Sequence, residues 1–192
     1  MPQNRSNPSN EHFAETHVTK PPRRYSFKER PSWAFTGRLH AGAQVHDALT
    51  GLLNPASFRL VVEHELRVAR RYGRQDSLLI IGVEDLAGVV EQYSSSDAEQ
   101  TLTQVARLLE RVARDSDIIG RIAGDKFAIF ALGCAGDALA NRISAAFETA
   151  GHHALEATTH ELSVGMSIVI AEMRPGEEYD EVMTRAGAAI EK

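Results

Sequence analysis

The chain holds a single cysteine, Cys134, in 192 residues. One thiol excludes an internal disulfide and a zinc site built on several cysteines. It follows a strand-like apolar run, where an inert, half-buried thiol is the expected state. Aromatic residues make up 6% of the chain, so the core has to be mostly aliphatic. No apolar stretch reaches the roughly 18 residues that a membrane-crossing helix needs. The opening residues, MPQNRSNPSNEHF, lack the apolar segment of a secretory leader. Together these absences lead us to expect a soluble protein of a reducing compartment.

What is present suits one ordinary domain with an appendage. The net charge is −5, but it is unevenly spread. Residues 1–46 carry seven Arg and Lys against three Glu, a surplus of four positive charges. Everything after them carries a surplus of nine negative charges. A basic tail on an acidic body either folds back on it or reaches an acidic partner. The basic residues lie on no recognisable nucleic-acid-binding fold, so no nucleic-acid partner is expected.

Residues 1–31 are rich in Asn, Ser, Pro and charge, and too poor in aliphatics to offset the entropy of ordering. Residues 1–46 are therefore expected to form a mostly disordered tail. Tyr25, Phe27, Trp33 and Phe35 interrupt it, interleaved with Arg and Lys. They form either a docking segment for a partner or a strap on their own domain.

From Asp47 the pattern becomes regular. Asn54 can cap a helix whose apolar residues Phe58, Val61, Val62, Leu66 and Ala69 recur at helical spacing, with Gly73 as its stop. The run Leu78–Ile81 predicts a strand buried on both faces. A short helix is expected over Leu86–Tyr93, then a longer one capped by Ser96 or Asp97. Strands are expected over Asp117–Ile122 and Phe127–Leu132, joined by the turn Ala123-Gly124-Asp125-Lys126. A helix over Ala135–Ala150, strands over Leu155–Thr159 and Leu162–Ala171, and a helix over Tyr179–Glu191 complete the chain. This order predicts an α/β (α+β) sandwich on a βαββαβ core, occupying residues 47–192. Arg70, Arg71 and Arg74 cluster at a predicted helix end, where cations favour the helix dipole. His152 and His153 have no third ligand at a useful spacing, so they read as loop histidines.

Four stretches in order resemble the GGDEF, or diguanylate cyclase, family. Asp47-Ala48-Leu49-Thr50-Gly51-Leu52-Leu53-Asn54 is similar to its opening DxLTGLxN motif. Arg121-Ile122-Ala123-Gly124-Asp125-Lys126-Phe127 stands where the family has RYGGDEF. Ser167-Ile168-Val169 resembles its SIG strand, and Arg185-Ala186-Gly187-Ala188-Ala189-Ile190 its RADxAL helix. The resemblance implies a GGDEF-like fold and a bacterial, cytoplasmic signalling protein.

The departures shape the functional expectation. In active members two carboxylates hold the Mg²⁺ ions that carry the GTP phosphates. The resemblance puts Gly82 at one of these positions and Lys126 at the other. The guanine-reading Asn becomes Val90, and its neighbouring Asp becomes Glu91. A phosphate-cradling Phe-Lys pair becomes Leu86-Ala87. The family's Gly-His and Gly-Asp pairs become Ser94-Ser95 and Ala98-Glu99. No catalytic residue, no metal ligand and no cofactor is therefore expected, and no Mg²⁺. The turn Ala123-Gly124-Asp125-Lys126-Phe127 reads as a degenerate signature, with Asp125 as a turn-former. Glu84 and Asp85 lie nearby, but solvated carboxylates after a strand are far commoner than a rebuilt metal site.

One family feature is intact. Arg114-Asp115-Ser116-Asp117 matches the RxxD inhibitory motif that binds cyclic di-GMP, at the family's offset from the signature turn. An arginine fork suits guanine O6 and N7, and a carboxylate suits guanine N–H groups. Arg142, in Ala140-Asn141-Arg142-Ile143, resembles the supporting arginine of the next helix. The alternative for Arg114 and Asp117 is an exposed ion pair worth little. The leading expectation is an inactive GGDEF protein that acts as a cyclic di-GMP receptor through Arg114, Asp117 and Arg142. It would signal to a protein partner through its tail or domain surface, with ligand-dependent homodimerisation open. The rival is a nucleotide-independent interaction scaffold that keeps only the fold; residual cyclase activity is a remote third.

Overall fold

The computed structural model describes residues 44–151 and 164–190. The aromatic stretch Tyr25–Phe35, His152, His153 and the strand expected over 155–159 lie outside the described residues.

Helix α1, Pro55–Tyr72, starts where the sequence places it. The Asn54 side chain accepts a hydrogen bond from the Ser57 N–H, and a proline occupies the first turn, where its missing N–H costs nothing. The helix stops at Gly73, whose left-handed φ of 64° lets its N–H return to the Ala69 carbonyl. Strand β1, Ser77–Val83, is buried along its whole length. Helices α2, Leu86–Gln92, and α3, Ser95–Val112, follow. Strands β2, Ile118–Arg121, and β3, Lys126–Ala131, form the expected hairpin. Helix α4, Gly136–Gly151, strand β4, Met166–Glu172, and helix α5, Tyr179–Ile190, complete the order.

The four strands lie in the order β2-β3-β1-β4, and every neighbouring pair is antiparallel. Each βαβ connection is thus split by an inserted strand, as the βαββαβ pattern requires. The continuous apolar run in β1 follows from its central place. Leu79 and Ile81 join Leu102, Val105 and Leu109 of α3 and Ile143 of α4. Leu78 and Ile80 face the other way, toward Phe58, Val62 and Leu66 of α1 and Val182 of α5. Each such side chain contributes about 1.5–3 kcal/mol on full burial. Strand β2 approaches α1 closely at Gly120, where an added Cβ would meet the Phe58 ring at 2.7 Å.

Three details differ from the sequence expectation. The cap of α3 is Ser94, not Ser96 or Asp97: its hydroxyl accepts from the Asp97 N–H and donates to the Asp97 carboxylate. Ser94 and Ser96 each have an acidic residue three positions on, Asp97 and Glu99, but the helix already begins at Ser95, so only Ser94 stands outside it to cap. Arg74 lies beyond α1, and its guanidinium reaches Asp76 and Glu65 instead of the helix end. Residues 44–46, grouped with the tail in the sequence, are joined to 53 and 54: the Asn54 N–H donates to the Val45 carbonyl, and His46 bridges Leu53.

Candidate functional site

Helix α3 ends at Ala113, whose extended backbone turns the chain toward β2. Arg114, Asp115 and Ser116 make that turn on the surface, and Asp117 closes it from below, 5% exposed. The Asp117 carboxylate accepts from the Arg114 N–H at 2.9 Å and from the Leu132 N–H at 3.3 Å. The Asp117 N–H returns to the Arg114 carbonyl at 2.9 Å. Asp117 therefore ties the α3–β2 turn to the end of β3. The exposed ion pair weighed for these two residues is not what forms: one is buried, and they meet through the main chain. The Arg114 guanidinium has no hydrogen-bond or ion-pair partner among the described residues.

Arg114 and Asp117 line a cleft of about 640 Å³. Such a volume is typical of small-molecule sites. One wall comes from the end of α3, with Arg107, Glu110, Arg111 and Asp115; the other is the segment His46 and Gly51–Leu53, with Ile119 at the base. Arg142 stands apart on α4, exposed and outside this lining. Its charge still reaches the same neighbourhood. Burial, then the Asp117 carboxylate, push the Cys134 thiol up, while Arg114 and Arg142 both act on it in the opposite direction. Burial is the largest cause of the upward shift of the half-buried Cys134 thiol, so it stays mostly protonated and reacts slowly.

The opening motif and the signature turn meet through a contact that neither motif reveals by itself. The Asp47 carboxylate accepts from the Thr50 N–H at 2.9 Å and its hydroxyl at 2.7 Å. It also pairs with Arg121 at 3.1 Å. Partial burial opposes ionisation of Asp47, but the Thr50 bonds and the Arg121 guanidinium outweigh it and hold the carboxyl below its ordinary range. Arg121 also donates to the Gly124 carbonyl at 2.6 Å, bracing the turn. The Asp125 carbonyl accepts from the Val83 N–H. No hydrogen bond from the Asp125 side chain braces the turn among the described residues, so Arg121 takes the role expected of Asp125.

Gly82 and Lys126 are directly paired across β1 and β3. Neither offers a side-chain oxygen. On its other edge Gly82 faces Ser167, whose hydroxyl would stand 2.8 Å from an added Cβ. Phe127, next in the turn, is fully buried. Glu84 and Asp85 follow β1 on the surface, and Asp85 holds a left-handed φ of 59°. Among the described residues, no three His, Cys, Asp or Glu side chains are grouped to hold a metal ion.

A buried ion-pair cluster supports the back of the site. Arg74 donates to Asp76 at 2.6 Å and to Glu65 at 3.0 Å, and the Asp76 side chain is fully buried. Asp76 also accepts from the Gly133 N–H at 2.8 Å, and the Ser77 hydroxyl donates to the Cys134 carbonyl. These bonds fix the loop that also supplies the Leu132 N–H to Asp117. The sequence signal for the cluster, an Arg and an Asp two apart before a buried strand, is too short to read by itself.

A family model described as "Diguanylate cyclase, GGDEF domain" matches residues 44–192. The chain is 24% identical over 147 residues to the probable diguanylate cyclase DgcC of Escherichia coli K12, covering 76% of this chain and 39% of that protein. It is 34% identical over 88 residues to diguanylate cyclase DgcM of the same organism, covering 44% of this chain and 20% of that protein. The chain therefore spans well under half the length of these curated relatives. Among solved structures, the GGDEF domain of DgcB from Caulobacter crescentus in complex with c-di-GMP superposes with a TM-score of 0.72 at 23% identity, covering 79% of this chain and 90% of that one. Diguanylate cyclase SiaD from Pseudomonas aeruginosa, in complex with its activator SiaC, gives a TM-score of 0.70 at 26% identity, covering 77% and 57%.

Proposed function

The chain belongs to the GGDEF, or diguanylate cyclase, family, and we propose that this member binds cyclic di-GMP without making it. The observation that carries the binding is Arg114, whose main chain is fixed by the buried Asp117 while its guanidinium lines an open cleft without a described partner. A planar fork left open on a fixed main chain can meet guanine O6 and N7 in a bidentate contact. Asp117 fixes the main chain that carries that fork, and a carboxylate that accepts two main-chain bonds keeps further lone pairs for guanine N–H groups. Arg142, exposed on α4 outside the cleft lining, is the third, supporting contact of this proposal.

The proposed loss of catalysis rests on Gly82 and Lys126. A glycine supplies no ligand to Mg²⁺, and an ammonium repels it, so the residues present do not fit the family's metal ions. Leu86, Ala87 and Val90 further weaken any hold on a GTP substrate. The turn Ala123–Phe127 is then a structural hairpin. The bound state would be read by a protein partner through the tail or domain surface, or by a second copy of the chain. Calorimetric titration with cyclic di-GMP tests the reading: saturable binding, weakened by Arg114→Ala, is expected.

A second reading, a scaffold that binds no nucleotide, draws on one observation. The Asp117 carboxylate already serves two main-chain N–H groups, a sufficient structural reason for its presence. Absence of binding in the same titration would favour it.

A further inference from the structure

We infer that Arg107 and Arg111 are phosphate-binding residues of the same cleft, taking the phosphodiester groups of the cyclic dinucleotide whose guanine Arg114 reads. The inference rests on the proposed binding of cyclic di-GMP. Arg107 and Arg111 are four apart on α3, so they share one helix face, about 6 Å apart along the axis. Arg114 lies just past the helix end and continues the row. All three line the cleft and are exposed. None has a hydrogen-bond or ion-pair partner among the described residues, whereas Arg59, Arg74, Arg121 and Arg185 are each paired with a carboxylate.

The cleft is not uniformly basic, and its mixture defines the class of ligand. Glu110 and Asp115 share the lining with the three arginines, and the Asp117 carboxylate is taken up by main-chain N–H groups. A bare polyanion would be repelled by the two outward carboxylates. A guanine nucleotide brings N–H donors that such acceptors suit, along with phosphate oxygens that match an arginine fork. One guanidinium beyond the RxxD motif would serve one phosphate; two in register suit a ligand with two.

The test compares two ligands on the full-length chain: cyclic di-GMP, and the mixed cyclic GMP–AMP, which keeps both phosphates but only one guanine. Arg107→Ala and Arg111→Ala are surface changes, and circular dichroism checks that the fold is intact. Each is expected to weaken both ligands by the same factor, about tenfold, leaving their ratio unchanged. Arg114→Ala is expected to narrow the ratio. Arg111→Lys, which keeps the charge without the fork, should recover part of the loss. Wild-type affinity for both ligands in Arg107→Ala and Arg111→Ala, with Arg114→Ala impaired, would overturn the inference and leave the receptor reading standing. A wild-type chain that binds neither ligand would remove the receptor reading itself.

Discussion

Asp117 holds Arg114 through the main chain: its carboxylate accepts the Arg114 N–H at 2.9 Å and, on the other oxygen, the Leu132 N–H at 3.3 Å. The two motif residues therefore have separable roles. Losing a buried acceptor of two N–H groups costs about 1–3 kcal/mol. Asp117→Ala should lower unfolding stability by that much in a urea titration, with the slope unchanged. Arg114→Ala, at an exposed position, should shift it by less than about 0.5 kcal/mol. Equal, small effects would show that Asp117 does not hold the turn.

The Gly82–Lys126 pair leads to a catalytic prediction. Incubated with GTP and Mg²⁺ or Mn²⁺, the chain should yield no cyclic di-GMP detectable by chromatography. Gly82→Asp with Lys126→Glu should restore little. The new Cβ at residue 82 would displace the Ser167 hydroxyl, and Leu86, Ala87 and Val90 would still hold substrate poorly. Robust product from the unmodified chain would contradict the proposed inactivity.

Cys134 offers a built-in probe, because it is the only cysteine and lies under the influence of Asp117, Arg114 and Arg142 together. Should the bound ligand span Arg114 and Arg142, saturating cyclic di-GMP is expected to slow the already slow alkylation of Cys134 by a maleimide severalfold. Unchanged alkylation under saturation would confine the ligand to the α3 side and remove Arg142 from the site.

Much of the fold was legible because local chemistry and tertiary role coincide. Asn54 and Gly73 bracket α1 by their own capping preferences, and Leu78–Ile81 is uninterrupted because both of its faces meet helices. The cap at Ser94 was harder, since three adjacent serines compete and only the geometry with Asp97 decides. The Asp47–Arg121 pair spans 74 residues and leaves no local pattern. The burial of Asp117 was also hidden: an Arg and an Asp three apart look the same whether they meet in solvent or close a turn. Arg107 and Arg111 carry no motif of their own; only the fold sets them opposite His46 and Gly51–Leu53 in one cleft.

The central claim is tested most directly by calorimetry of cyclic di-GMP with the wild-type chain and Arg114→Ala side by side. A bidentate arginine–guanine contact is worth about 1–3 kcal/mol, so the variant should bind roughly tenfold to a hundredfold more weakly. Lys126→Ala, in the signature turn, should bind like wild type. Wild-type binding that survives Arg114→Ala but falls with Lys126→Ala would place the ligand at the signature turn and contradict the account.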